Sequence, residues 1–189
     1  MPATGRSYVI AGAGIAGLTL ALTLAKFGAT VVVLERNPVL QEFGAGLQIS
    51  PNARRILDRL GLGDAIAGVS LEPAALDIYP RGRERPLVSL ELGRIMRERF
   101  GAPYAVMHRA DLANLLYKAC RRFANIDILF GVRNWDVVSH ARGVTVAIDE
   151  AGGQTRNSRA LAFIGADGVH SQTRQQMLDG SAARFGRRI

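Results

Sequence analysis

Residues 8–36 read YVIAGAGIAGLTLALTLAKFGATVVVLER, and nearly every position before Glu35 is apolar or glycine. Such a stretch can cross a membrane, lie in a core as strand–helix–strand, or build a phosphate-binding turn. A membrane helix needs about 20 largely uninterrupted apolar residues. Here Gly12, Gly14, Gly17 and Gly28 break the run and Lys26 sits inside it. An export signal would want a basic leader and a small-residue cleavage site; only Arg6 precedes the run, and no such site follows. The periodicity instead changes twice. SYVIAG is a short β-rich run, Ile15 to Phe27 is helical and rich in Ala and Leu, and ATVVVLE is continuous and β-branched like a buried parallel strand. Strand, glycine turn, helix, strand is a βαβ unit, for which a right-handed crossover is expected.

Gly12, Gly14 and Gly17 stand in G-x-G-x-x-G spacing directly after the first strand. Gly12 permits the tight turn, Gly14 lets a pyrophosphate approach the backbone, and Gly17 lets helix and strand pack closely. The N–H groups of Ile15, Ala16 and Gly17 open the helix at the positive end of its dipole, where phosphates bind. Glu35 ends the second strand, placed to accept hydrogen bonds from ribose hydroxyls, with Arg36 beside it. An acid at this position disfavours a 2′-phosphate, so FAD or NAD fits better than NADP. A glycine-rich helix start can also serve packing alone; the flanking strands and terminal acid favour the dinucleotide.

The rest of the composition bounds the function classes. The net charge of +8 comes almost wholly from arginine, since Lys26 and Lys118 are the only lysines. The arginines are scattered (Arg54, Arg55, Arg81, Arg83, Arg85, Arg121, Arg122) with no basic run interleaved with aromatics, so no nucleic-acid partner is expected. Cys120 is the single cysteine. It can form no internal disulfide or cysteine-ligated zinc site, which suits a reducing cytoplasm. His108, His140 and His170 enter no Ser or Cys catalytic pattern, and no G-x-S-x-G occurs, so no catalytic residue and no metal site are assigned.

Past Gly17 the sequence continues through Ala21, Leu24, Gly28, Val31 and Glu35, and then ERNPVLQEFGAGLQISPNARRILDRLGL (35–62). Two further stretches are MHRADLANLLYKACRRF (107–123) and FIGADGVHSQTR (163–174). Together they resemble the salicylate-hydroxylase-like branch of the class A FAD-dependent aromatic monooxygenases, the group related to p-hydroxybenzoate hydroxylase. The resemblance implies an α/β, Rossmann-like FAD-binding fold, with a parallel sheet, an antiparallel meander and the start of a β-rich substrate domain. It implies that the GAGLQISPNA loop, with Gly44, Gly46 and Leu47, passes near the isoalloxazine. Arg109 would lie beside the FAD phosphates and flavin; by position alone, a solvated arginine at a helix start is an equal reading. Asp167 and Gly168 match a motif near the pyrophosphate, and Val132 would offer a backbone contact to adenine. The implied reaction consumes NAD(P)H and O₂ and hydroxylates a small aromatic such as a phenolic acid.

Local signals accompany these matches. Ser50 suits a helix N-cap and Pro51 its first turn, with Ile56, Leu57 and Leu60 as an apolar face and Gly61 as its stop. Leu112, Leu115, Leu116 and Ala119 should face inward from a helix after YAVMH, and a helix should begin near Val169. Residues 131–166 read as an antiparallel meander, and 74–80 with 86–91 as a hairpin. The expected organisation is an FAD-binding domain over 1–72 and 98–180, with the first substrate-domain hairpin over 73–97. The resemblance spans only about the first half of a typical member, and 181–189 reads as a truncated entry to the remainder. Weak FAD affinity and self-association through exposed apolar surface are then expected. A non-catalytic FAD-binding fragment of a truncated gene, and an NAD-dependent Rossmann dehydrogenase, are the alternative functions.

Overall fold

Strand β1 (Ser7–Ala11) is apolar on both sides because both sides are covered. The computed structural model describes residues 3–40, 46–150 and 152–177; Gly44 and residues 181–189 lie outside them. After β1 come α1 (Ile15–Lys26), β2 (Thr30–Glu35), β3 (Gly46–Ile49), α2 (Pro51–Arg59) and α3 (Gly63–Ala67). Then follow β4 (Ala75–Ile78), β5 (Val88–Glu91), α4 (Gly93–Phe100), β6 (Ala105–His108) and α5 (Arg109–Cys120). The order ends with β7 (Ile126–Phe130), β8 (Asn134–His140), β9 (Gly143–Asp149), β10 (Thr155–Ala160), β11 (Ala162–Gly165) and α6 (Gln172–Met177). The chain forms two compact units, one from residues up to 41 with those from 116 onward, the other from 42 to 115.

The first unit centres on a parallel sheet in the order β11–β1–β2–β7. Successive strand residues point to opposite faces, so Ile10, Val31 and Val33 share one face and Val9, Ala11, Val32 and Leu34 the other. Helix α1 covers the first face with Leu18, Ala21, Leu22 and Ala25, all buried. Cys120 closes this layer, its thiol donating to the Leu18 carbonyl at 3.4 Å. The second face packs on the antiparallel sheet β10–β9–β8 through Trp135, Val146 and Ile148. Trp135 and Phe163 meet with ring centroids 6.4 Å apart. Each fully buried Val, Leu or Ile contributes about 1.5–3 kcal/mol. This double cover explains why the opening stretch is continuously apolar without spanning a membrane. Among the described residues no helix is long and apolar enough to cross one, and no His/Cys/Asp/Glu group could hold a metal.

The second unit holds the antiparallel pairs β3–β6 and β4–β5 with helices α2, α3 and α4. The hairpin is shorter than its sequence signal, spanning 75–78 and 88–91. Helix α2 departs from the apolar-face expectation, because Ile56 is 51% exposed while Arg54 is buried. The inward stripe follows Pro51, Arg54 and Leu57, spaced by three residues. Arg54 tolerates burial because its Nε donates to Asp58 Oδ1 at 2.7 Å and an Nη to the Gly63 carbonyl at 2.9 Å.

Candidate cofactor site

The turn joining β1 to α1 is set by side chains that are missing. Gly12 has φ +102°, and a Cβ there would stand 2.5 Å from the Ala166 carbonyl oxygen. The Ala166 N–H donates to the Ala11 carbonyl at 2.7 Å, drawing the chain beyond β11 onto the turn. A Cβ on Gly17 would lie 1.9 Å from the Gly12 carbonyl oxygen, so only glycine lets α1 lean this closely on the turn. Gly14 is the N-cap of α1; it brings no capping side chain, and the first turn carries no acid. The N–H groups at this helix start therefore meet no side chain from the cap or first turn of α1, at the positive end of its dipole. Ile15 is half-buried, Ala16 exposed and Gly17 buried.

Glu35 reaches across from the end of β2. Its Oε2 accepts the Ala13 N–H at 2.9 Å and its Oε1 accepts the Asn37 N–H at 2.9 Å. Each carboxylate oxygen has a second lone pair, so acceptor capacity remains for ribose hydroxyls. Arg36, next along, is exposed. Val132 is buried, and its N–H donates to the Glu35 carbonyl at 3.0 Å. That bond takes up the Val132 N–H, and no part of Val132 is open to solvent.

Asp167 follows β11, and its carboxylate serves the chain's own donors. Oδ1 accepts the Ser171 hydroxyl at 2.7 Å; Oδ2 accepts the Thr173 N–H at 2.9 Å and the Thr173 hydroxyl at 3.1 Å. Partial burial pushes its pKa up, but the bonds from Ser171 and Thr173 outweigh this and hold it below the ordinary carboxylate value. Ser171 Oγ accepts the Arg174 N–H at 2.9 Å, so Ser171 caps α6. The helix accordingly starts at Gln172 rather than near Val169. The open cleft here, about 450 Å³, is lined by Gly165, Ala166, Asp167, Gly168 and Arg174 among others.

Gly46, Leu47 and Arg109 belong to the second unit. Gly46 pairs with His108 and Leu47 with Met107 in the antiparallel β3–β6 ladder. That register sets the exposed Gly46 against the strand end where α5 begins with the exposed Arg109. Within α5, Leu112, Ala113, Leu116 and Cys120 are buried while Leu115 and Ala119 are half-buried.

Sequence reasoning brought Gly12, Gly14, Gly17 and Glu35 to one turn, and the structure does the same. It missed the seam between Gly12 and Ala166–Asp167, the Glu35–Ala13 bond and the buried Arg54. Only the first had a legible signal, a second glycine-bearing strand end at Asp167-Gly168.

A protein-family model described as "FAD binding domain" matches residues 7–181. The 3-hydroxybenzoate 6-hydroxylase 1 of Aquipseudomonas alcaligenes is 36% identical over 172 residues, 91% of this chain and 43% of that protein. The 3-amino-4-hydroxybenzoate 2-monooxygenase PtnB3 of Streptomyces platensis is 34% identical over 182 residues, 93% of this chain and 42% of that protein. The chain thus spans under half the length of these curated relatives. Among solved structures, a ternary complex of aklavinone-11 hydroxylase with FAD and aklavinone shares the fold at a TM-score of 0.78. It is 23% identical, with 94% of this chain and 35% of that one covered. With the family model matched along nearly the whole chain, this chain belongs to the FAD-binding domain family.

Proposed function

We propose that this chain is the FAD-binding portion of an NAD(P)H- and O₂-dependent flavoprotein monooxygenase that hydroxylates a small aromatic acid in the cytoplasm. The observation that carries the reading is the glycine turn into α1, whose first turn holds no acid of its own and whose Ala13 N–H is tied to the Glu35 carboxylate. The names of the relatives, a 3-hydroxybenzoate 6-hydroxylase and a 3-amino-4-hydroxybenzoate 2-monooxygenase, support the substrate class. Gly12 and Gly17 shape the turn, and the N–H groups of Gly14, Ile15 and Ala16 hold the pyrophosphate. Glu35 receives the ribose, with Arg36 at the rim and the backbone of Val132 toward adenine. Gly46, Leu47 and Arg109 take the flavin end. Asp167 acts at one remove, fixing the backbone of Ala166 and Gly168 beside the turn. The redox chemistry with nicotinamide and oxygen belongs to the flavin; this chain binds, orients and shields. Residues 1–72 with 98–180 form the binding domain, and the hairpin within 73–97 opens a substrate domain.

The test is a titration of the purified chain with FAD, followed by flavin fluorescence, then NADH and NADPH oxidation with and without 3-hydroxybenzoate. Saturable flavin binding lost in Gly14→Val supports the binding role, and aromatic-stimulated oxidation supports the monooxygenase. Absence of flavin binding refutes the cofactor assignment for this chain. Binding without stimulated oxidation restricts its role to cofactor binding.

A further inference from the structure

We propose that the end of the β8–β9–β10 sheet remote from the glycine turn holds a second site, for a phosphate-type oxyanion. Thr145 stands opposite both Val138 and Arg159, and His140 stands opposite Gly143. Directly opposed residues share a face, as do alternate residues along a strand. His140, Thr145 and Arg159 therefore project from one face, and Trp135, Val146, Ile148 and Ala160 on the other are buried. Arg142 joins them from the hairpin turn, and the group lines an open cleft of about 380 Å³ with no Asp or Glu in its wall. A His140 ring nitrogen lies 2.8 Å from Thr145 Oγ1, tying two of the polar groups together. The closest same-face carboxylate along β8 is Asp136, opposite Ala147 and outside the cleft.

The location separates this cleft from the cofactor turn. Val132 bonds to Glu35 beside the turn, and His140 lies eight residues further along, roughly 25 Å at the rise of a β-strand. The Arg159 carbonyl accepts the Ser7 hydroxyl at 3.0 Å, which sets the cleft beside the first residue of β1, at the end opposite Gly12. A phosphate here is not a phosphate of the dinucleotide held at Gly12. Two guanidinium forks with a hydroxyl and an imidazole match the tetrahedral oxyanion of inorganic phosphate or a phosphate monoester.

The test titrates the 189-residue chain with inorganic phosphate, and separately with AMP, following backbone amide shifts against sodium chloride of matched ionic strength. Saturable shifts at Arg142, Gly143, Thr145 and Arg159, absent in chloride, are expected. Arg142→Gln with Arg159→Gln should weaken binding about tenfold or more while the circular dichroism spectrum stays unchanged. Tighter binding of AMP at these residues assigns the monoester, and tighter binding of phosphate assigns the free ion; each upholds the site. Shifts that follow ionic strength alone, shifts confined to residues 12–17, or unchanged affinity in the double variant overturn it.

Discussion

The Glu35 side chain is tied to the glycine turn before any ligand arrives, its Oε2 accepting the Ala13 N–H at 2.9 Å. One carboxylate thus orders the loop and keeps lone pairs for the ribose proposed to bind there. Glu35→Gln keeps one acceptor and turns an N–H₂ toward a backbone N–H. The expected cost is about 1–3 kcal/mol of stability, with weaker flavin binding, read by urea denaturation and fluorescence titration. Unchanged stability would show that the Ala13 bond contributes nothing.

Gly17→Ala should damage both fold and binding, because its Cβ would sit 1.9 Å from a backbone oxygen that cannot rotate away. The helix must shift, costing about 2 kcal/mol or more, and the displaced N–H groups should lose the pyrophosphate. Gly152→Ala is the control: nothing lies within 4 Å of its Cβ, and its stability should stay within about 0.5 kcal/mol. Equal melting temperatures for the two variants would contradict the steric account.

Asp167 gives a pH signature with a definite sign. Its folded pKa is lowered from the ordinary 3.8 by the Ser171 and Thr173 bonds, which outweigh the opposing effect of burial. The unfolded chain then binds the proton first, so the contribution is complete above 3.8 and disappears as pH falls through the folded value. Acid denaturation of Asp167→Asn should therefore be less steep below pH 3.8 than that of the parent chain. Superimposable acid profiles would remove Asp167 from the capping role.

The parallel-sheet frame was legible because glycine spacing and a doubly covered strand each leave a one-dimensional trace. The meander β8–β9–β10 was legible through its alternation, with Trp135 and Val137 on one side and Asp136 and Val138 on the other. Burial of Arg54 was not, since its tolerance depends on the Gly63 carbonyl nine residues away. The working bonds of Asp167 were hidden for a similar reason. An Asp-Gly pair reads the same whether its carboxylate meets a ligand or caps the next helix.

Cys120 should behave as an inert core residue. Burial pushes its thiol up to about 11, only partly offset by a backbone hydrogen bond, and thiolate is the reactive form. An aromatic disulfide reagent at neutral pH should label it only as fast as the chain unfolds, and completely in denaturant. Rapid stoichiometric labelling of the folded chain would place the thiol at the surface.

The β4–β5 hairpin carries the clearest liability. Leu76 faces Leu90 and Ile78 faces Val88, so four apolar side chains share one face, each 37–54% exposed. The other face pairs Asp77 with Ser89 through a 2.5 Å hydrogen bond and is polar. Exposed apolar patches of this kind promote association, so the chain should bind a hydrophobic fluorescent dye and gain apparent mass with concentration. Leu76→Lys with Leu90→Glu puts opposite charges directly across the ladder, an arrangement that sheet pairing favours. That variant should lose dye binding and sediment as a monomer while its core stability is kept, because neither Leu76 nor Leu90 belongs to the buried core. A parent chain that stays monomeric and dye-free across the same concentrations would show that this face needs no cover.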